Sequence, residues 1–288
     1  MVRVVCRVAL LALSVCGWCV NAAPSHVLFP KNLHLTRQVI DPLTGSTTTF
    51  EEYCYGNRVV SVSGDKTVIA DYDKQQITEI NRGAGTYSIS RFDEVASVST
   101  VGESGTASAS EQSVSGEAVK RDRWTATPRG LRGSAGRSLE QFEFAEEGPS
   151  GRRIEVGIDR SIALSEEAVE VLIGAAYPNP RRDEHEPLLR AAGVREATRA
   201  ITTNADTASA NASDDATYGL PVTQAFTYSD SGSEITFRTA VTRIGSEAPP
   251  ADALIIPPAA KQVESHTAAV RRQLRELDHP TPTSTQHQ

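Results

Sequence analysis

Between residues 33 and 91 apolar and polar positions alternate in short runs broken by turn residues. This is the spacing of strands that bury one face. Leu35 and Val39 share a face of the first run. A second, Thr47 to Tyr55, follows the turn signal Asp41-Pro42-Leu43-Thr44-Gly45. Arg58 to Ser63 places Val60 and Val62 together, and Gly64-Asp65 then supplies a hairpin turn. Thr67 to Tyr72 sets Val68, Ala70 and Tyr72 on one side, and Asp73-Lys74-Gln75 turns the chain back. Gln76 to Asn81 follows, then the loop Arg82-Gly83-Ala84-Gly85, then Thr86 to Arg91 with Tyr87 and Ile89 in phase. A strand every ten or so residues predicts an antiparallel meander, not βαβ units.

Residues 99–120 break the pattern. Ser, Gly, Thr, Ala and Glu dominate, which reads as a flexible insertion. Strands resume at Arg123 to Thr127, Leu139 to Phe144 and Arg152 to Asp159. In the last, Ile154, Val156 and Ile158 face one way and Arg153, Glu155 and Asp159 the other. Ser165 is a good N-cap, and Glu166 and Glu167 complement the dipole of the helix it opens. Val169, Leu172, Ile173 and Ala176 form its apolar stripe, and Pro178 and Pro180 end it. A weaker helix is expected from about Pro187 to Thr202, followed by a soft linker at 203–217. Val222 to Ser229 and Glu234 to Ile244 read as a long hairpin around residues 230–233, with Phe226 and Tyr228 in phase on one strand and Ile235, Phe237 and Val241 on the other. An irregular proline-containing stretch follows. Val263, Val270, Leu274 and Leu277 then mark an amphipathic helix of about four turns, and a polar tail closes the chain.

The first residues add a compartment to this picture. Arg3 and Arg7 precede the apolar run Val8 to Val20, and Val20-Asn21-Ala22 fits a cleavage site. Residues 1–22 are therefore expected to be a cleavable signal peptide that delivers a soluble protein to the periplasm or outside the cell. The run is short for a membrane span. Val15 and Trp18 before Cys16 and Cys19 do not fit a lipid-attachment signal. Cleavage would leave Cys54 as the single thiol, so no internal disulfide is expected. Cys54 reads as a buried small residue, an intermolecular disulfide partner or a reactive thiol. The formal charge of −7 falls to about −9 without the two signal arginines. An acidic chain without a basic cluster argues against nucleic acid and anionic membrane surfaces as partners.

Chemistry is scarce. The six histidines show no metal-ligand spacing, and Asp183-Glu184-His185-Glu186 reads as a solvated charge cluster in a polar turn. Gly130, Gly133 and Gly136, with Arg129, Arg132 and Arg137 nearby, lack the lysine and strand-to-helix setting of a phosphate loop and read as a flexible hairpin loop. No nucleophile–base pair is visible, so neither an enzyme nor a cofactor is expected. The strand aromatics fit either a dry core or an apolar cavity between a curved sheet and covering helices.

Three stretches carry a resemblance. They are Gly64 to Asp73 with Ile77 to Asn81 and Thr86-Tyr87; Leu164-Ser165-Glu166-Glu167-Ala168; and Gly219-Leu220-Pro221 followed by two strands, Pro250, Leu254-Ile255-Ile256-Pro257 and Val263. Together they resemble a family of small exported bacterial domains of unknown function, similar in layout to the periplasmic lipoprotein carriers (LolA-like). The insertion at 99–120, the linker at 203–217 and the helix after Val263 depart from that pattern. The resemblance implies an α+β, β-dominated fold over residues 33–264: a curved antiparallel sheet forming an incomplete barrel, covered by two or three helices. It implies a cavity for acyl chains and no catalytic residue. The function expected is a binding module for a lipid, a lipoprotein acyl chain or another hydrophobic ligand, lined by some of Tyr72, Tyr87, Ile89, Phe226 and Phe237. The alternative is an envelope interaction or sensor protein. It would dock a protein partner through Val263, Val270, Leu274 and Leu277 in the C-terminal part, 265–288.

Overall fold

The computed structural model describes residues 27–95, 124–134, 136–148, 151–175, 182–193, 217–230 and 233–278. The expected signal peptide, the insertion at 99–120, most of the linker at 203–217 and Ala176 lie outside them. The first meander forms as its pattern predicts: β1 (Phe29–Ile40), β2 (Thr47–Gly56), β3 (Arg58–Ser63), β4 (Lys66–Asp71), β5 (Gln76–Asn81) and β6 (Thr86–Arg91). β3 and β4 are joined by Gly64-Asp65 alone, and Gly64 takes φ +58°, which suits glycine in so tight a turn. A second meander comprises β7 (Trp124–Ser134), β8 (Arg137–Glu146), β9 (Arg153–Leu164), β10 (Tyr218–Asp230) and β11 (Ser233–Gly245). β1 pairs with β11, which fuses the two meanders. A two-residue β12 (Lys261–Gln262) then adds parallel to β6. The result is one open, curved sheet with the order β12-β6-β5-β4-β3-β2-β1-β11-β10-β9-β8-β7.

Two helices lie in the excursion between β9 and β10: α1 (Glu166–Ala175) and α2 (Arg182–Gly193). Ser165 caps α1, its Oγ accepting the Ala168 N–H at 3.2 Å. Ala168, Val169, Leu172 and Ile173 form the buried stripe. Val169 and Ile173 pack with Leu188, Ala191 and Ala192 of α2 against Phe142, Phe144, Ile154, Val156 and Phe226 of the sheet, and Ala168 and Leu172 pack against Leu35, Cys54, Leu220 and Val241. The face they cover is termed the inner face. Its far end is closed by a helical turn at residues 92–95, where Phe92 and Val95 meet Val68, Ala70 and Ile77.

After β11 the chain crosses to β6 and ends in α3 (His266–Asp278). Arg82 donates to the carbonyls of Asp252 and Ile255, and Ala253 is buried. The Val263 N–H then reaches the Tyr87 carbonyl at 2.8 Å, and Arg271 of α3 donates to the carbonyl of Glu94. No helix among the described residues is long and apolar enough to cross a membrane.

Several expectations need correction. α2 begins at Arg182, not near Pro187, so Pro187 sits buried within it. Asp183 to Glu186 are therefore helical. Glu184 is buried, 3.4 Å from Arg152 and accepting the Tyr228 hydroxyl at 3.1 Å. That anchoring outweighs the signal of a polar turn before a proline. Gly130 and Gly133 belong to β7, whose pairing with β8 continues to Ser134 opposite Arg137. Asp159 is buried, because the β9–β10 register shifts near it. Arg137 and the Ser161 hydroxyl bind its carboxylate at 2.7 and 2.6 Å. Val263 precedes α3 instead of sharing its face, since Ser265 caps that helix by accepting the Ala268 N–H.

Candidate functional site

Strand alternation puts four polar side chains where the apolar face should be. Leu35, Arg37 and Val39 share one side of β1, and Phe50, Glu52 and Cys54 one side of β2. Phe237, Thr239 and Val241 do the same on β11, and Val222, Gln224 and Phe226 are in phase on β10. The register brings them together on the inner face. Arg37 pairs with Val241 and Phe50, Val39 with Thr239, and Thr239 with Gln224. Arg37 and Thr239 are thus diagonal neighbours, with Gln224 one strand further on.

The cluster is sealed. Arg37 is 2 % exposed, Glu52 4 %, Gln224 3 % and Thr239 3 %. The Arg37 Nε donates to both Glu52 carboxylate oxygens, at 2.9 and 3.0 Å. Arg37 Nη1, Gln224 Oε1 and Thr239 Oγ1 have no hydrogen-bond partner among the described residues. A buried polar atom left unpaired costs about 1–3 kcal/mol, and native folds tolerate few. Three on adjacent strands of one face form a local concentration of unmet hydrogen bonding, set among Leu35, Val39, Phe50, Phe226 and Val241.

Cys54 lies beside this centre. Burial pushes its thiol well above the ordinary cysteine range. The Glu52 carboxylate adds to that shift and Arg37 opposes it. The thiol is a buried, inert group, which resolves the three readings of the sequence in favour of the first.

The residues anticipated as a ligand lining do not share a surface. Phe226 and Phe237 are cross-strand partners on the inner face, and Phe237 meets Tyr228 edge-on at 6.1 Å. Tyr72 is partly buried at the far end of that face, edge-on to Phe92 at 5.1 Å. Tyr87 and Ile89 point to the opposite, outer face: Tyr87 pairs with Ile80 and Ile89 with Thr78, out of phase with Ile77. Ile89 is 39 % exposed. Tyr87 instead lines a cavity of about 250 Å³ with Val263, His266 and Glu79. Val263 is 45 % exposed there. Val270 is half-buried on α3. Leu274 and Leu277 also lie on α3, but their side chains are outside the described residues.

A second groove, of about 340 Å³, crosses the outer face. Its small residues Ala225 and Ala240 lie on adjacent strands, rimmed by Gln38, Arg132 and Arg238. It is open and polar where the inner centre is closed and mostly apolar. Among the described residues no group of three or more His, Cys, Asp or Glu side chains could hold a metal ion.

No protein-family model matches the chain, and no curated protein matches it. Among solved structures it is similar to an uncharacterized conserved protein from Thermus thermophilus, at 8 % identity and TM-score 0.38, covering 82 % of this chain and 92 % of that one. It is also similar to a chain of the MucA/MucB complex of Pseudomonas aeruginosa, at 12 % identity and TM-score 0.35, covering 81 % of this chain and 58 % of that one. PNGF-II matches at 5 % identity and TM-score 0.35, covering 85 % of this chain and 33 % of that one. The chain thus spans little more than half of the MucA/MucB-complex chain and a third of PNGF-II.

Proposed function

We propose that this protein is a non-enzymatic binding module of the cell envelope that holds a lipid or acyl chain on the inner face of its sheet. One observation carries the reading. The centre of that face is an apolar surface interrupted by three buried polar atoms without partners. Such atoms in an apolar setting are what fixes the orientation of a mostly hydrophobic ligand. The resemblance to the lipoprotein-carrier layout implies the same ligand class. Because the centre is closed to solvent, loading requires the covering elements to part.

Native mass spectrometry of the exported protein, purified without detergent, tests this. A stoichiometric lipid or fatty acyl adduct, absent from a denatured run, is the expected result. A clean apo mass that stays clean after incubation with acyl lipids would overturn the reading.

A further inference from the structure

We propose that the acyl ligand carries a single neutral amide, whose carbonyl accepts from Arg37 and Thr239 and whose N–H donates to Gln224. This rests on the inner face being the ligand site. It deepens that reading by assigning the chemistry of the polar end.

Charge comes first. The Arg37 guanidinium is matched by the Glu52 carboxylate at 2.9 Å, with both side chains buried. The centre is electrically balanced before anything binds. A carboxylate or phosphate head would bury an extra negative charge there, and an ammonium an extra positive one. A neutral head adds neither.

Hydrogen-bond valence narrows the choice. The unpartnered set holds a guanidinium N–H, a hydroxyl and an amide oxygen. An amide matches it: the carbonyl oxygen has two lone pairs, one for the Arg37 N–H and one for the Thr239 O–H, and the amide N–H faces the Gln224 oxygen. An ester has no N–H and leaves Gln224 unpaired. A lone alcohol oxygen would have to meet all three groups at one point. They stand on three successive strands, about 5 Å apart. An extended peptide, by contrast, brings a row of amides, and the neighbours Leu35, Val39, Val241 and Phe226 offer the rest of that row no side-chain partner.

The test compares matched C18 probes, oleamide, oleate, methyl oleate and oleyl alcohol, binding to the full exported chain by native mass spectrometry and competition. Oleamide is expected to bind at least ~10-fold more tightly than the other three. In Thr239→Val and Gln224→Leu that preference should shrink to about twofold while binding of methyl oleate persists. Both variants remove a polar atom that lacks a partner in the apo protein, so each should raise the apo melting temperature. Thr239→Val is nearly isosteric and keeps the comparison available should Gln224→Leu not fold. Tight, equal binding of all four probes would overturn the amide assignment and leave the hydrophobic site standing. Preference for oleate would overturn it too. Binding of none would overturn the inner-face reading itself.

Discussion

The Arg37–Glu52 pair offers a sharp energetic test of the inner-face centre. Both side chains are almost wholly out of water, and the Arg37 Nε–H is shared between the two Glu52 carboxylate oxygens. Truncating either one leaves the other as an uncompensated buried charge, which costs about 3–5 kcal/mol. Glu52→Leu and Arg37→Met should each lose that much. The double variant Arg37→Met/Glu52→Leu removes both charges, together with the unpartnered Nη1, and fills the space with apolar atoms. It should lie between unchanged and about 1–4 kcal/mol more stable than the wild type. The coupling is then several kcal/mol, well beyond ordinary non-additivity of neighbours. Urea unfolding reads the midpoints, with the slope m checked for constancy across the set. Labelling of Cys54 gives an independent probe of the same transition, because its thiol sits beside both residues. A double variant as unstable as its worse parent would refute the argument. It would mean that the pair is tied into further interactions and that the centre is not a closed, balanced unit. If the polar centre is kept for a ligand, the stabilised double variant should also lose the preference for oleamide.

Three further outcomes follow from the same structure. Burial holds the Cys54 thiol far above its ordinary pKa, so thiol reagents at pH 8 should leave it unmodified in the folded protein and label it fully in denaturant; labelling of the native protein at a free-thiol rate would contradict this. Two of the shifted carboxyls, Asp159 and Glu79, should act in opposite directions on stability. Burial pushes Asp159 up, but hydrogen bonds from Ser161 and Arg137 outweigh it and hold the carboxyl low, so its contribution is present above the ordinary aspartate range and lost as pH falls through the lowered value. Glu79 is raised, mainly by burial and against the pull of Ser88, His266 and Lys66, so its contribution is present at low pH and lost as pH rises through the raised value. Asp159→Asn should flatten the loss of melting temperature on the acid side, and Glu79→Gln should flatten the decline that sets in as pH rises above the ordinary glutamate range; unchanged profiles would remove both assignments. Deleting residues 262–288 strips half of β12, the bond from Val263 to Tyr87 and the Arg271 contact to Glu94. Thermal melting should show a loss of a few °C, of the order expected for about 1–2 kcal/mol in a domain of this size. An unaltered melting temperature would return the C-terminal helix to the role of a free docking element.

Most of the sheet was legible because its signals are local. Turn residues such as Gly64-Asp65 and alternation such as Ile154, Val156, Ile158 depend on a few neighbours in sequence, and the Ser165 cap on three. What failed depends on distant partners. α2 starts early because Glu184 is held by Arg152, just before β9, and by Tyr228 of β10. β12 exists only because β6 is there to receive it. The candidate site sits between these cases. No single strand reveals it, since one polar residue on an apolar face reads as noise. Yet the signal was present four times: Arg37 between Leu35 and Val39, Glu52 between Phe50 and Cys54, Thr239 between Phe237 and Val241, and Gln224 between Val222 and Phe226. A polar residue in phase with an apolar face must be either satisfied or functional. Register decides which. It makes the four contiguous across β2, β1, β11 and β10, and it satisfies Glu52 while leaving one atom each on Arg37, Thr239 and Gln224 without a partner. Four separate irregularities, each tolerable to its own strand, thereby become one centre whose unmet bonds point to a group the chain does not supply.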